Sequence, residues 1–290
     1  MDRQLIKWPI RKLFWGGLRH FLTDKQYARL RYWLELDRSL NLQNPQRFTE
    51  KIQYIKLYQR RELRKKIANR METRKYVAQK IGEDFLVPLI GAYDTLTPQI
   101  WESLPEKFVL KANHGCGMFH IVLNKAEEDY ASVRQKTEEW KNFDYAEFGR
   151  EWAYKGLPRT IIAEELLLDS NQSIPQDYKF YCFNGRVKLI HIHFDRFGNP
   201  RRNLYDRNFN RINAKLLFPN YEGEVEKPED LEKAIEVAEV LASDLNFVRV
   251  DLYLLEDHIY FGELTNYPGN GFIPFEPEAM EYKIGSLLEL

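Results

Sequence analysis

The sequence predicts an α+β protein in which a basic, helical N-terminal region precedes strand-rich lobes. Three observations carry that prediction. In roughly the first 80 positions apolar residues recur at helical spacing among Lys and Arg. Beyond residue 85, short β-prone runs alternate apolar and polar residues and are punctuated by Gly, Asn and Pro. One well-patterned amphipathic segment, residues 228–244, then separates two strand-rich stretches.

Composition sets the outer bounds. A chain of 290 residues with 44% apolar content can build one large or two modest domains. It has no uninterrupted apolar run of membrane-spanning length, which argues against an integral membrane protein. Lys or Arg breaks the N-terminal apolar residues every few positions, so the start does not read as a signal peptide. Cys116 and Cys182 form no metal-ligand pattern, and a reducing cytoplasm is the expected compartment. The net charge of zero hides an asymmetry: residues 1–75 carry 20 Lys and Arg against 7 Asp and Glu. Such a basic quarter suits an anionic partner or, equally, a solvated surface facing an acidic body in the same molecule.

Taken in order, Leu5 to Leu22 interleave Trp8, Ile10, Phe14 and Phe21 with Lys7, Arg11, Lys12 and Arg19. Pro9 and Gly16-Gly17 are expected to break this stretch into short helical pieces. A basic, Trp-containing amphipathic segment can lie on an anionic bilayer or pack on its own domain, and both readings stand for residues 1–22. Residues 24–43 read as helix and Asn41–Arg47 as a loop around Pro45. A second helix starts at Thr49, and the run from Arg60 is expected to continue helically to Gly82.

Phe85–Tyr93 reads as a buried strand or loop, and Thr95–Pro98 as a turn. Lys107–Leu123 is two β-rich segments around a glycine loop, His114-Gly115-Cys116-Gly117. Glycines there let amides converge on phosphate oxygens, with Lys111 on the preceding strand. It is not a P-loop, since no Gly-Lys-Ser/Thr opens a helix. Residues 126–156 read as helical or irregular, and Thr160–Leu168 as a strand leaving into a loop. On spacing alone, Glu164 and Glu165 would be a solvated strand edge.

Asp177–His193 reads as a hairpin turning at Asn184-Gly185, the signature of a type I′ turn. Lys179 on it points either at a ligand phosphate or at solvent. His191 and His193 share one strand face but lack a third ligand, so they are read as core or groove residues. Asp195–Asn203 is expected to be a loop carrying Arg196, Arg201 and Arg202, guanidinium groups suited to carboxylates or phosphates. In residues 228–244, Leu231, Ile235, Val237, Ala238 and Leu241 supply the apolar face.

The stretch Phe247–Gly271 is the focus of the chain. Val248, Val250, Leu252 and Leu254 alternate with Arg249, Asp251 and Tyr253, and Ile259–Leu264 forms a second strand carrying Glu263. The two strands join at Glu256-Asp257-His258, so Asp251 and Glu263 can stand opposite each other. Paired carboxylates need a cation between them, and their hard oxygens suit Mg²⁺.

Arg-x-Asp, a short hairpin, then Glu263-Leu-Thr265-Asn266-Tyr-Pro268-Gly269 is similar to the metal-binding end of ATP-grasp ligases such as D-alanine–D-alanine ligase. FTEKIQYIKLY, KYVAQKIG and FGREWAYKGLPR resemble the TupA-like ATP-grasp family of surface-polysaccharide biosynthesis, and the likeness runs from about Phe48 to the C-terminus. The resemblance implies an ATP-grasp fold, two α+β lobes clamping a nucleotide. It divides the chain into a basic helical region 1–66, a glycine-loop lobe 67–165 and a metal-site lobe 166–290. It also implies ATP and Mg²⁺ as cofactors. Nucleotide contacts would then fall on Arg70, Lys111, His114, Gly115, Gly117, Glu164, Glu165, Leu167, Asp169 and Lys179. The metal would fall on Asp251 and Glu263, with Thr265 or Asn266 completing the site. Catalysis would rest on Arg249, Arg196, Arg202 and Lys179.

Two departures from the family pattern matter. Asn69-Arg70 stands where relatives tend to have Asp-Lys, and Thr265 where ATP-grasp enzymes usually place an asparagine. Adjacent strand residues face opposite sides, so Thr265 and Asn266 cannot share that role.

The implied reaction is carboxylate activation by ATP to an acyl phosphate, opened by an amine to give an amide. With the basic N-terminal region, the expected partners are an acidic sugar or polysaccharide acceptor and an amino acid or other amine. Peripheral contact with an anionic membrane is a further reading, and no nucleic acid is expected. Two other classes compete: a sugar-transferring enzyme of the same pathway, and a non-catalytic polysaccharide- or membrane-binding protein. Stabilisation by ATP, by a UDP-sugar or by neither separates the three.

Overall fold

The computed structural model describes residues 3–195, 198–255 and 258–290. Helix α1 (Arg3–Trp15) ends at Gly16-Gly17, where Gly17 takes φ 139°, and a 3-10 turn at Leu18–Phe21 leads to α2 (Asp24–Leu36). Pro9 does not break α1. It removes one backbone donor, and packing against α2 outweighs that loss: Lys7 reaches the Trp33 carbonyl at 3.0 Å and Phe14 packs on Tyr27. A capping box at Thr23 and Gln26 starts α2, and Asp37, in the left-handed region, ends it sooner than the expected helix over 24–43.

Next come α3 (Phe48–Tyr58), α4 (Glu62–Ala68) and α5 (Arg70–Ile81). The continuous helix expected to Gly82 is therefore divided. Asn69 is extended, and its side-chain oxygen accepts from the amides of Met71 and Glu72, capping α5.

The smaller sheet is built from β1 (Leu89–Tyr93), β2 (Phe108–Ala112), β3 (Phe119–Val122) and β4 (Ile161–Glu165) in the order β1-β4-β2-β3. Helices α6 (Pro98–Ser103), α7 (Tyr130–Asn142) and α8 (Tyr145–Gly149) lie between its strands in sequence. Trp101, Phe108, Leu110, Val133, Trp140 and Ile161 belong to its core.

The larger sheet contains β5 (Asp177–Phe183), β6 (Arg186–Phe194), β7 (Arg201–Tyr205), β8 (Arg211–Ile212), β10 (Phe247–Leu255) and β11 (His258–Thr265), in the order β11-β10-β5-β6-β7-β8. A short β9 (Lys215–Leu216) pairs with β12 (Phe275–Glu276), and α9 (Leu231–Ala242) and α10 (Glu278–Gly285) complete the fold. Asn184 and Gly185 take φ 49° and 75°, the positive values a type I′ turn requires. Arg201 and Arg202, expected in a loop, open strand β7 instead, paired in register with Phe194 and His193.

Both faces of the larger sheet are covered, which is why every residue of β5 is buried. Phe180, Cys182, Val248 and Val250 pack with Ile235, Ala238 and Leu241 of α9 and with Tyr76 and Val77 of α5. On the opposite face Tyr181, Phe183 and Phe247 meet Phe48 and Ile52 of α3 and Phe275. Further along that face the apolar residues give way to Asp177, Lys179, Arg249 and Asp251, and this change of character marks the site.

A bulge aims Glu263. Asp251 pairs with Glu263 but Leu252 pairs with Phe261, leaving Gly262 as the extra residue. Without it, Phe261 and Glu263 would share a face. With it, Phe261 and Leu264 join the core while Glu263 stands beside Asp251. A Cβ at Gly262 would lie 3.0 Å from the Asp251 carbonyl oxygen, so glycine suits this close approach.

The Pro268–Gly271 turn after β11 is tied to α3. Fully buried Lys56 places Nζ 2.5 Å from Asn270 Oδ1, and the Gln53 amide donates to the Asn270 and Gly271 carbonyls at 2.8 and 3.1 Å.

Candidate active site

Three adjacent strands assemble the charged row. Asp251 on β10 stands opposite Glu263 on one side and Lys179 on the other. The cation between the two carboxylates is Arg249, two residues from Asp251 on the same strand face. Its Nε and Nη2 donate to the two Asp251 oxygens at 2.6 and 2.7 Å, and Nη2 also donates to Glu263 Oε1 at 2.8 Å. Lys179 donates to Asp251 Oδ2 at 2.6 Å and to Asp177.

Burial alone would raise the Glu263 carboxyl. Arg249, Arg70 and Lys179 overcome that and hold it at about 2. Burial works against the Lys179 ammonium too, but Asp251 and Asp177 keep it above its ordinary value. Glu263 and Lys179 are therefore both charged at neutral pH, each beside a group of opposite sign.

The smaller sheet contributes a second set. Lys111 on β2 donates to Glu164 Oε2 on β4 at 2.5 Å, and Arg74 from α5 donates to Glu164 Oε1 at 2.9 Å. Burial would raise Glu164, but Lys111 and Arg74 keep it below the usual carboxylate range. Arg70, the first residue of α5, donates to the carbonyls of Ala112 and Gly115 at 2.9 and 3.2 Å and comes within 3.8 Å of Glu263 Oε2. It thus links the glycine loop to the carboxylate row.

Between the sheets lies a cavity of about 190 Å³. Arg70, Lys111 and Gly117 line it from the smaller-sheet side; Lys179, Asp251 and Glu263 line it from the larger sheet. Val109, Phe119, Ile121, Leu166, Leu167 and Tyr253 contribute apolar wall. Glu165 lines it as well, while Gly115 and Glu164 border a smaller recess beside Arg70. The sequence-derived residues Arg70, Lys111, Gly117, Glu165, Leu167, Lys179, Asp251 and Glu263 thus converge on one space.

Others lie elsewhere. His114 is buried with Nε2 2.9 Å from the Trp140 carbonyl oxygen. Asp169 folds its carboxylate back onto the amides of Asn171 and Ser173, closing its own turn instead of reaching the cavity. Asn266 points away from the carboxylates: it accepts from Arg64 Nη1 at 3.2 Å and donates to the Arg64 carbonyl at 2.8 Å. Its strand neighbour Thr265 donates its hydroxyl to Glu263 Oε1 at 2.9 Å. Arg202 donates from Nε to His193 Nε2 at 2.5 Å and lines a separate cavity. Arg196 lies outside the described residues.

Sequence reasoning missed Asp177 and Arg74. Both were signalled by spacing: Asp177 sits two residues before Lys179 on one strand face, and Arg74 one helical turn after Arg70.

Among the described residues, no cluster of three His, Cys, Asp or Glu side chains is placed to hold a metal ion alone. Two carboxylates nevertheless fit Mg²⁺ where phosphates supply further oxygens. Glu263 Oε2 accepts no hydrogen bond among the described residues, and the Arg70 guanidinium lies 3.8 Å from it.

A sequence profile described as TupA-like ATPgrasp matches residues 50–289. Among solved structures, a D-alanine–D-alanine ligase from Bacillus anthracis is similar at 14% identity with a TM-score of 0.43, covering 69% of this chain and 57% of that one. The enzyme from Helicobacter pylori is similar at 13% identity with a TM-score of 0.43, covering 83% and 69% respectively. The ADP complex of N5-carboxyaminoimidazole ribonucleotide synthetase gives 16% identity, a TM-score of 0.42, and coverage of 84% and 52%. The chain thus spans little more than half the length of the Bacillus anthracis ligase and of the synthetase. No curated protein matches it significantly.

Proposed function

The chain belongs to the TupA-like ATP-grasp family, and on that premise we propose that it is an ATP-dependent carboxylate–amine ligase acting through an acyl phosphate. The observation that carries this reading is the convergence of Lys111 and Arg70 from one sheet with Lys179, Asp251 and Glu263 from the other on a single cavity. ATP would lie there with its base against the apolar wall near Leu166 and Leu167 and its phosphates toward Lys111, Arg70 and Lys179. The glycine loop adds backbone donors; Gly117, at φ 74°, permits the turn.

Asp251 and Glu263, with Thr265 beside them, would hold Mg²⁺, which supplies charge neutralisation for the triphosphate. Arg249 keeps Glu263 ionised and, through its hydrogen bonds to both carboxylates, holds the pair in place. The acid substrate's carboxylate oxygen attacks the γ-phosphorus and the bond to the β-phosphate oxygen breaks, releasing ADP. Arg249 and Lys179 stand where negative charge gathers in that step. The amine then attacks the acyl carbon, loses a proton and expels phosphate, leaving an amide.

The substrate reading is an amino acid or other amine joined to a uronic-acid carboxylate during capsule or cell-surface polysaccharide assembly. It is supported by the basic residues of the first 75 positions and by the family likeness. The same reading places the protein in the cytoplasm, with residues 1–22 against the inner membrane face. No helix among the described residues is long and apolar enough to cross a membrane. We retain the division into 1–66, 67–165 and 166–290 as a proposal. Purified protein given ATP, Mg²⁺, a uronate-containing acceptor and a panel of amino acids should release ADP and form an amide; neither product would overturn the assignment.

A further inference from the structure

A second cavity, of about 90 Å³, lies on the same face of the larger sheet. Lys179 lines both cavities, so the two adjoin at its side chain. Lys179, Tyr181, His191, Arg202 and Arg249 give the smaller one its polar side chains; Phe48 and Phe275 belong to its apolar wall. Among the described residues no carboxylate lines it. Asp177, Asp251 and Glu263, which pair with Lys179 and Arg249, line the larger cavity instead.

His191 is the group without an explanation. It is 2% exposed, and among the described residues neither ring nitrogen has a hydrogen-bond partner. Buried polar atoms are nearly always paired, and an unpaired one costs about 1–3 kcal/mol. Burial, together with Arg202 and Lys179, pushes its imidazole well below the ordinary range. The ring is therefore neutral, with one nitrogen a donor and the other an acceptor. Arg249 commits Nε and Nη2 to Asp251 and Glu263, and Nη1 makes no hydrogen bond among the described residues.

We propose that this cavity seats the carboxylate end of the acid substrate, with His191 donating to one oxygen and Arg202 and Arg249 supplying the balancing charge. The proposal rests on the ligase reading and adds to it the place of the second substrate. Size permits the assignment: about 90 Å³ is several times the ~10–15 Å³ that admits one water, enough for a carboxylate and the carbon that bears it. A planar anion also matches guanidinium forks. The carboxylate would then be held next to the nucleotide phosphates, where the two cavities adjoin at Lys179.

Acetate is the probe that fits. With ¹³C-histidine-labelled full-length protein, one histidine signal, identified by its absence from His191→Gln, should move on titration with acetate. Acetamide or chloride at matched concentration should leave it in place, and Arg202→Gln should weaken the acetate response at least tenfold. An unmoved signal overturns the proposal, as does an equal response to chloride or acetamide. The melting temperature of the same wild-type sample with a non-hydrolysable ATP analogue and Mg²⁺ tests the premise separately. Analogue binding without an acetate response refutes the carboxylate pocket alone; an acetate response without analogue binding supports the pocket and removes the ligase reading.

Discussion

Replacing Arg249 by methionine removes the cation that holds Asp251 and Glu263 together while keeping much of the side-chain volume. Breaking a buried ion pair by deleting one partner costs about 3–5 kcal/mol, because the remaining charge is left uncompensated. The electrostatics of Glu263 give a second figure, for Arg249 together with Arg70 and Lys179. Burial raises its carboxyl and Arg249 leads the groups that bring it down from 4.5 to about 2. At about 1.4 kcal/mol per pH unit, that depression is worth roughly 3 kcal/mol to the folded state. Because the folded value lies below the unfolded one, the contribution is complete above pH 4.5 and is lost as pH falls toward 2. Arg249→Met should therefore be less stable by about 3–5 kcal/mol at pH 7, or roughly 10 °C in melting temperature. The gap to wild type should narrow as the pH is lowered from 4.5 to 3. Urea titrations of both proteins across that range measure it. A gap that is absent at pH 7, or constant down to pH 3, would refute the argument that Arg249 acts as a counter-charge to Glu263.

Lys111→Met should weaken binding of an ATP analogue on the order of 10- to 100-fold, about 1.4–2.8 kcal/mol, measured by calorimetry; unchanged affinity would remove Lys111 from the nucleotide site. Asn69→Ala should cost about 1 kcal/mol by uncapping α5, and Asn69→Asp should recover most of it in a urea melt. Asn266→Ala should destabilise by roughly 1–3 kcal/mol, since it leaves the buried Arg64 guanidinium short of an acceptor. Thr265→Val should cost less than about 1 kcal/mol yet reduce Mg²⁺-dependent nucleotide binding, so the two substitutions separate in melting and titration experiments. Trp8 and Phe21 are 68% and 87% exposed among basic residues; Trp8→Ala with Phe21→Ala should lower sedimentation with anionic vesicles at least tenfold, whereas binding unaffected by loss of residues 1–22 would end the membrane reading.

How far the sequence could be read depended on whether a residue's partner was near or far along the chain. Period-two alternation gave β10 because its two faces meet different environments: Val248 and Val250 pack on α9, while Arg249 and Asp251 face the cleft. Asn184-Gly185 gave the β5–β6 turn because positive φ at both positions is a local property of those residues. The break at Asn69 was local too, since Asn69-x-x-Glu72 is a readable helix start, but the charge-rich run around it reads equally well as one helix. The Gly262 bulge lay in plain view as well: Ile259, Phe261 and Leu264 depart from period two with a glycine between the last pair.

Nothing local, by contrast, announces that Arg64 will close on Asn266, 202 residues away, or that Arg74 will meet Glu164 across 90. Those distant partners settle the environment of the ambiguous residues. Asn266 is withdrawn from the carboxylate row because burying Arg64 requires an acceptor, and Thr265, one residue earlier, is thereby left facing Glu263. Substitution of a usual asparagine by Thr265 would then be tolerable in a ligase only if a hydroxyl beside Glu263 can support the metal that an amide supports elsewhere. The Thr265→Val experiment tests this directly, because valine keeps the β-branched shape that suits the strand and deletes only the oxygen.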